Sequence, residues 1–530
     1  MLFSITCTRN EKIQFYFQLL GSVFSAGVLL SIFLPELYVF FKSLLSGQIY
    51  MFVNAWDEET YLSYQGAMGA RNIPGYYGLY LVTTLHQLGL SGAIQHLIFD
   101  LVLIPTTVFF TMRSVRFFVN DNLLAFFYAI IILFSSVLFN YGNPLIAWLY
   151  GGLHLSTIIC GWESYPSFIR APNPLFSDFV LSVCIFMFLK TKKKWFLLLP
   201  LSILYYFVFQ PYLYCLSVAT ISFLFNKRNS TKYIILFNFV SFFIISIVAY
   251  IAYINTLSSA DHEVLNGLLG STHIQFSRKV YLPLYTIVGF ILFGASSFLG
   301  ILKRPFVRNS FITLILCSFF ISNIQIVTGL AVEIKNFQDY GNSLIVGFML
   351  VLFLESLRTH EVRQNNNFLL HKTISIIILM LIAFCSSFQF AYRMYGALRT
   401  DYQHRYFTKE QLLKIKNMPM AVLILDDDMS AKISYSQSKM PAIMTSYTMS
   451  FPALFRQCTC FYSRAEKAKK YLKTVYGIDN PVTDAIVLDM SKYLPIKGNE
   501  VYCREICAGS NSTKFMVFRF SPTQKMFVEL

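Results

Sequence analysis

Apolar residues in this chain form long runs separated by short, mostly basic segments. At a rise of 1.5 Å per residue, about 20 apolar residues cross the hydrocarbon core of a bilayer. Eleven segments meet or approach that length: 16–41, 93–112, 120–140, 175–189, 195–209, 211–226, 233–255, 282–302, 310–330, 342–357 and 373–395. The pair 195–209 and 211–226 reads as a short hairpin broken at Gln210-Pro211. A further apolar stretch, 143–160, holds Pro144 and the pair Gly151-Gly152 and reads as a re-entrant or interfacial helix. The first run, Phe15–Phe41, is too long for the apolar core of a secretory signal and lacks a small-residue cleavage site, so it is expected to span and stay. The pattern predicts an all-α polytopic membrane domain over 1–396 with about 11 transmembrane helices. Its first outer loop is 42–92, and a second, 141–174, contains the re-entrant segment.

The pattern changes near residue 397. Short β-type runs (Ala421–Leu425, Ala485–Leu488, Lys514–Phe520) alternate with a helical stretch at Arg464–Tyr476. Segment 397–530 also holds 19 Lys and Arg against 12 Asp and Glu. It reads as a small α/β domain, long enough to bury a core of its own. Four cysteines fall in it, as Cys458-x-Cys460 and Cys503-x-x-x-Cys507. They are disulfide candidates with three possible pairings. Neither pair has the C-x-x-C spacing of a zinc site.

Composition agrees with the pattern. Only 13% of the 530 residues are charged, against roughly 25% in soluble globular chains. That argues against a soluble enzyme, a disordered chain and a fibrous protein. With the N-terminus inside, the inner segments carry 17 Lys and Arg and the outer face of the membrane domain 7. This asymmetry fits an odd number of spans, N-terminus in and C-terminus out. It accounts for much of the net charge of +16 without a nucleic-acid partner. The chain has no Walker motif and no GxGxxG, which weakens an ATP-driven pump as a reading.

Three polar clusters then stand out on the predicted outer face. The first loop carries Trp56-Asp57-Glu58-Glu59. Consecutive carboxylates at a membrane edge repel one another and suit a general base or a cation site, or else the first turn of a helix. The second cluster, 161–178, includes Glu163, Arg170 and Asn173. The Arg170 guanidinium fits planar phosphate recognition; alternatively it anchors the headgroup region or pairs with Glu163. The third contains Asn323, Gln325 and Thr328 at the outer end of a predicted span. There, amides either face a protein-lined cavity or bond between helices. Asp100 and Glu36 are the main intramembrane acids; Asp100 is a proton or ion ligand, as in a transporter, or a partner for a neighbouring hydroxyl or amide.

The acidic first loop, Arg170-Ala171-Pro172-Asn173-Pro174 and Asn323-x-Gln325-x-x-Thr328-Gly329, in that order, resemble the GT-C superfamily of polytopic glycosyltransferases. The long first loop, re-entrant segment and outer C-terminal domain are similar to the O-antigen glucosyltransferases of serotype-converting bacteriophages. The resemblance implies a bacterial inner-membrane enzyme with a cytoplasmic N-terminus and a periplasmic C-terminus. Its donor would be undecaprenyl-phosphate-linked glucose or another hexose, and its acceptor a polysaccharide such as O-antigen.

The same resemblance makes Asp57 the catalytic base, with Glu58 as alternate. It gives the donor phosphate to Arg170, Arg278 and Lys279, and the substrates to Trp56, Glu59, Asn173, Asn323, Gln325 and Thr328. Superfamily members differ in metal need, so Mg²⁺ or Mn²⁺ on the acidic residues stays open. The other classes to weigh are a polysaccharide polymerase and a flippase or transporter of lipid-linked oligosaccharide. A secondary transporter would more often show two related halves.

Overall fold

The computed structural model describes residues 9–46, 85, 88–90, 92–135, 158–159, 168, 175–191, 275–276, 279–300, 302, 305–323, 326, 330–331, 343–364, 377, 379–385, 387–388, 406–417, 421–424, 466–480, 515–524 and 526–530. Segments 195–209, 211–226 and 233–255 and the run Ala485–Leu488 lie outside them.

Most described residues up to 388 are helical. Helix α1 is Arg9–Ser46. Helix α2 runs without a break through Gly92–Ile98, a π-helical turn at Phe99–Leu103, and Ile104–Val115. Helix α3 is Asn122–Leu133 and α4 is Leu175–Thr191. Then come α5 (Leu284–Phe298), α6 (Pro305–Ile321) and α7 (Ser343–Gln364), followed by helical residues 379–385, here α8. Among the described residues one helix, Ile94–Val115, is long and apolar enough to cross a membrane; Asn122–Leu133 and Leu284–Phe298 are shorter apolar helices.

Helix α3 is the centre of the bundle. Asp121 starts it, its carboxylate accepting the N–H groups of Leu123 and Leu124 at 2.8 and 3.0 Å. That satisfies two of the four amides a helix leaves open at its start. Phe127 through Leu133 are all buried, because α1, α2 and α7 pack around them. A helix apolar on every side needs such a surround or lipid. The closest approach is at Gly347 of α7, where a Cβ would lie 2.7 Å from the Ile132 Cα. Only hydrogen fits there, and this lets two helix backbones touch.

Polar groups pair between helices inside the bundle. Thr111 of α2 and Ser182 of α4 are 3.1 Å apart at their hydroxyls, and Thr286 of α5 and Ser318 of α6 are 2.8 Å apart. Tyr128 of α3 donates to Glu355 of α7 at 3.3 Å, and Glu355 accepts both Nε and Nη2 of Arg358 at 2.8 and 2.6 Å. Outward positions carry bulky apolar groups instead. Phe290, Ile291 and Phe298 of α5 and Val102 and Phe109 of α2 are exposed.

Helix α3 runs from a base, where Asp121 opens it, to a top, where it ends. Two short ladders lie between segments that flank the helices at the top. Strand β1 (Ile158–Ile159) pairs in parallel with β3 (Leu282–Pro283), and β2 (Gln275–Phe276) pairs antiparallel with β4 (Leu330–Ala331). Ile158 and Ile159 are thus extended, whereas the sequence gives a helix over 143–160. An apolar run without a clear period does not separate strand from helix.

The C-terminal part is built differently. Helix α9 (Lys409–Lys416) is closed by a reciprocal cap: Thr408 Oγ1 accepts the Gln411 N–H, and Gln411 Oε1 accepts the Thr408 N–H. Strands β5 (Ala421–Ile424), β6 (Phe515–Ser521) and β7 (Met526–Glu529) form one sheet in the order β5-β6-β7. The β5–β6 pair is parallel and the β6–β7 pair is an antiparallel hairpin. Helical residues 466–476 precede β6 and end at Gly477, whose φ of 64° suits a residue without a side chain. Phe407 fills the middle of this unit, its ring 4.9 Å from that of Phe518 and 4.5 Å from that of Phe527.

Candidate functional site

The top of the bundle is where separate stretches of chain meet. The residues before α4, the residues before α5 and the residues after α6 are held to one another by β1–β3, β2–β4 and one side chain, Asn323. Asn323 is buried just beyond the end of α6. Its Oδ1 accepts the Tyr281 N–H at 2.7 Å, and its Nδ2 donates to the Tyr281 carbonyl at 2.8 Å and the Phe319 carbonyl at 2.9 Å. The amide thus acts like a strand residue, satisfying both backbone groups of Tyr281 immediately before β3. Phe168 packs edge-on against Phe134 at 5.3 Å and fixes another point of the chain that leads into α4.

Sequence reasoning left Asn323 between a cavity-facing role and a packing role. The geometry makes it a clamp on a neighbouring loop. Lys279 lies two residues before Tyr281 and is exposed. It is the one candidate phosphate-binding cation among the described residues. Trp56, Asp57, Glu58, Glu59, Arg170, Asn173, Arg278, Gln325 and Thr328 lie outside the described residues, as do Cys458, Cys460, Cys503 and Cys507. Among the described residues no group of three His, Cys, Asp or Glu side chains forms a metal site.

A second polar group sits inside α2, just below its start. Gln95, His96 and Asp100 are all buried there. His96 Nδ1 lies 2.9 Å from Asp100 Oδ2. The π-helical turn at Phe99–Leu103 widens the helix next to them, a feature that recurs at functional sites. Gln95 Nε2 donates to the Leu90 carbonyl at 3.1 Å and so ties the end of the preceding loop to this turn. Sequence reasoning singled out Asp100 but not its partner. The i, i+4 spacing of a histidine and a carboxylate inside an otherwise apolar run was the available signal.

No known protein-family profile matches the chain, and no curated protein is similar to it. The chemistry available at the top is therefore judged from its own residues. Loops that carry an acidic triad, an arginine-proline segment and an amide-rich segment all enter or leave helices at or near this end, and described residues of two of them are cross-tied there.

Proposed function

We propose that this chain is an integral-membrane glycosyltransferase of GT-C-like architecture, with about 11 spans and its site at the outer, periplasmic face of a bacterial inner membrane. It moves a hexose, glucose by resemblance, from an undecaprenyl-phosphate donor to a hydroxyl of a polysaccharide. The observation that carries this reading is the cross-tying of the loops before α4, before α5 and after α6 by β1–β3, β2–β4 and Asn323. The candidate residues Arg170, Arg278, Lys279, Gln325 and Thr328 belong to those same loops. The exposed apolar belt of α2 and α5 supports the bilayer setting.

In this mechanism Asp57 takes the proton of the acceptor hydroxyl as its oxygen attacks the anomeric carbon. The bond from that carbon to the donor phosphate oxygen breaks, and the configuration inverts. Arg170, with Arg278 and Lys279, neutralises the phosphate that leaves. Glu58 and Glu59 serve as alternate base or hold a cation, and Trp56, Asn173, Gln325 and Thr328 contact the sugars. Asn323 supports the loop.

The test is mass spectrometry of cell-surface polysaccharide from matched strains with the gene, without it, and with Asp57→Asn. A hexose increment seen only with the intact gene supports transfer. Unchanged branching with altered chain length or accumulated lipid-linked precursor supports a polymerase or flippase instead. The buried His96–Asp100 pair favours a transporter as the second reading, since ionisable groups within apolar helices mark ion pathways.

A further inference from the structure

We infer that the C-terminal ends of α2 and α4, at the base of the bundle, form a docking surface for an anionic phospholipid of the inner leaflet. Its phosphate meets Arg113 and Lys190, and its acyl chains run along the phenylalanines beside them. The inference rests on the bilayer setting proposed above, and it is independent of sugar transfer.

The two helix ends lie side by side. Thr111 meets Ser182, the ring of Phe110 is 5.4 Å from that of Phe186, and Phe117, just past the end of α2, is 6.2 Å from Phe186. With Phe109, whose ring is 5.5 Å from that of Phe110, these side chains make one continuous strip across both helices. Phe109 and Phe117 are 48% and 46% exposed, so the strip has an outward side. In a bilayer that side meets acyl chains.

Each helix sets a cation on this strip. The Arg113 guanidinium carbon lies 5.7 Å from the centre of the Phe109 ring, and Lys190 Nζ lies 5.7 Å from that of Phe186. Both cations are exposed. Contact with a ring face attracts a cation, and it holds two long side chains whose ordering otherwise costs rotamer freedom. The result is positive charge at the edge of an apolar strip, the complement of a phosphate joined to hydrocarbon chains. Arg116 serves another purpose, donating to the carbonyls of Val119 and Asn120 in the turn that leads to α3. In the sequence, Lys192, Lys193 and Lys194 follow α4 directly. Basic clusters at the inner end of a span attract anionic lipid, by about fivefold in affinity for each cation near the surface.

The test uses the full chain, with phosphatidylglycerol as the anionic lipid and phosphatidylcholine as its neutral counterpart. Carbonate extraction of membranes comes first, and release of the chain would overturn the bilayer reading and this site together. For chain that stays in the membrane, native mass spectrometry of the detergent-purified protein follows lipid adducts during titration. Phosphatidylglycerol should bind roughly 25-fold more tightly than phosphatidylcholine, about fivefold for each of the two cations. Arg113→Gln and Lys190→Gln should each weaken it about fivefold, whereas Lys190→Arg should retain it. Phe186→Leu, which keeps an apolar side chain but removes the ring under Lys190, should weaken it as well. Arg308→Gln, at an exposed cation of α6, should leave it unchanged. Equal affinity for the two lipids, an equal loss in Arg308→Gln, or displacement of the lipid by inorganic phosphate would overturn the proposal. Where a variant fails to fold, phosphatidylglycerol with a photoreactive headgroup is crosslinked to the parent chain. Labelling within 104–117 and 175–191 supports the site, and labelling confined to other peptides overturns it.

Discussion

Helix α5 in the bundle and helix α9 in the C-terminal unit sort their side chains in opposite ways. Helix α5 turns Thr286 and Ser296 inward and leaves Ile291 64% and Phe298 92% exposed. Helix α9 buries Ile415, keeps Lys409, Glu410, Lys414 and Lys416 on the surface, and pairs Lys414 with Glu529 at 2.6 Å. The second pattern is that of a helix against water. In the bundle, hydroxyl pairs such as Thr111–Ser182 and close approaches such as Gly347–Ile132 join the helices. The difference teaches that the two regions present opposite surfaces, apolar on α5 and charged on α9, which the bilayer setting proposed above accounts for.

The comparison can be broken most severely in the core of the C-terminal unit. Phe407→Ala removes the ring between Phe518 and Phe527. It should cost about 3–5 kcal/mol, read as protease cleavage within 406–530 while the bundle stays intact. If both regions are lost together, they are not separately built.

Two equally exposed positions sharpen the contrast of solvents. Ile291→Lys in α5, exposed at 64%, should cost about 3 kcal/mol of membrane insertion if lipid faces it. Leu413→Lys in α9, exposed at 61%, should fall within about 0.5 kcal/mol of the parent. Glycosylation-mapped insertion and the yield of membrane-inserted protein compare them, and equal effects would erase the distinction.

Smaller effects are expected from single hydrogen bonds. Asn323→Ala leaves the Tyr281 N–H and carbonyl without their partner, at about 1–3 kcal/mol. Thermal unfolding in detergent should show it, with faster proteolysis in the segment before α5. Thr111→Val removes the hydroxyl facing Ser182 and should cost about 0.6 kcal/mol. An effect of that size needs a double-mutant cycle with Ser182→Ala to resolve.

Hydropathy alone located much of the bundle. The apolar segment 175–189 and α4, Leu175–Thr191, nearly coincide, as do 93–112 and Gly92–Val115. Ends were less legible. Segment 310–330 reads as one span, yet α6 runs Pro305–Ile321 and the chain turns at Ser322 and Asn323. The amide of Asn323 ends the helix by bonding a loop 42 residues upstream, which no local window detects. In the other direction, α7 continues to Gln364, past the apolar run ending at 357, because Glu355 and Arg358 pair along the helix and Tyr128 meets them from α3. In the C-terminal unit, β5 and β6 fall on the expected runs, whereas α9 and β7 were not foreseen. Gln411 bonding the Phe527 carbonyl joins those two short elements, each too weak to be recognised alone.

The candidate site was legible as chemistry but not as geometry. The sequence by itself determined which stretches are apolar, where basic residues gather and which loops carry acids, arginine and amides, because these properties belong to single residues and short windows. Tertiary structure alone decided that Asn323 clamps Tyr281, that Ile158 pairs with Leu282 and that Thr111 meets Ser182. Such contacts join residues far apart in sequence, and their energy appears only after the intervening chain has been folded and its entropy lost.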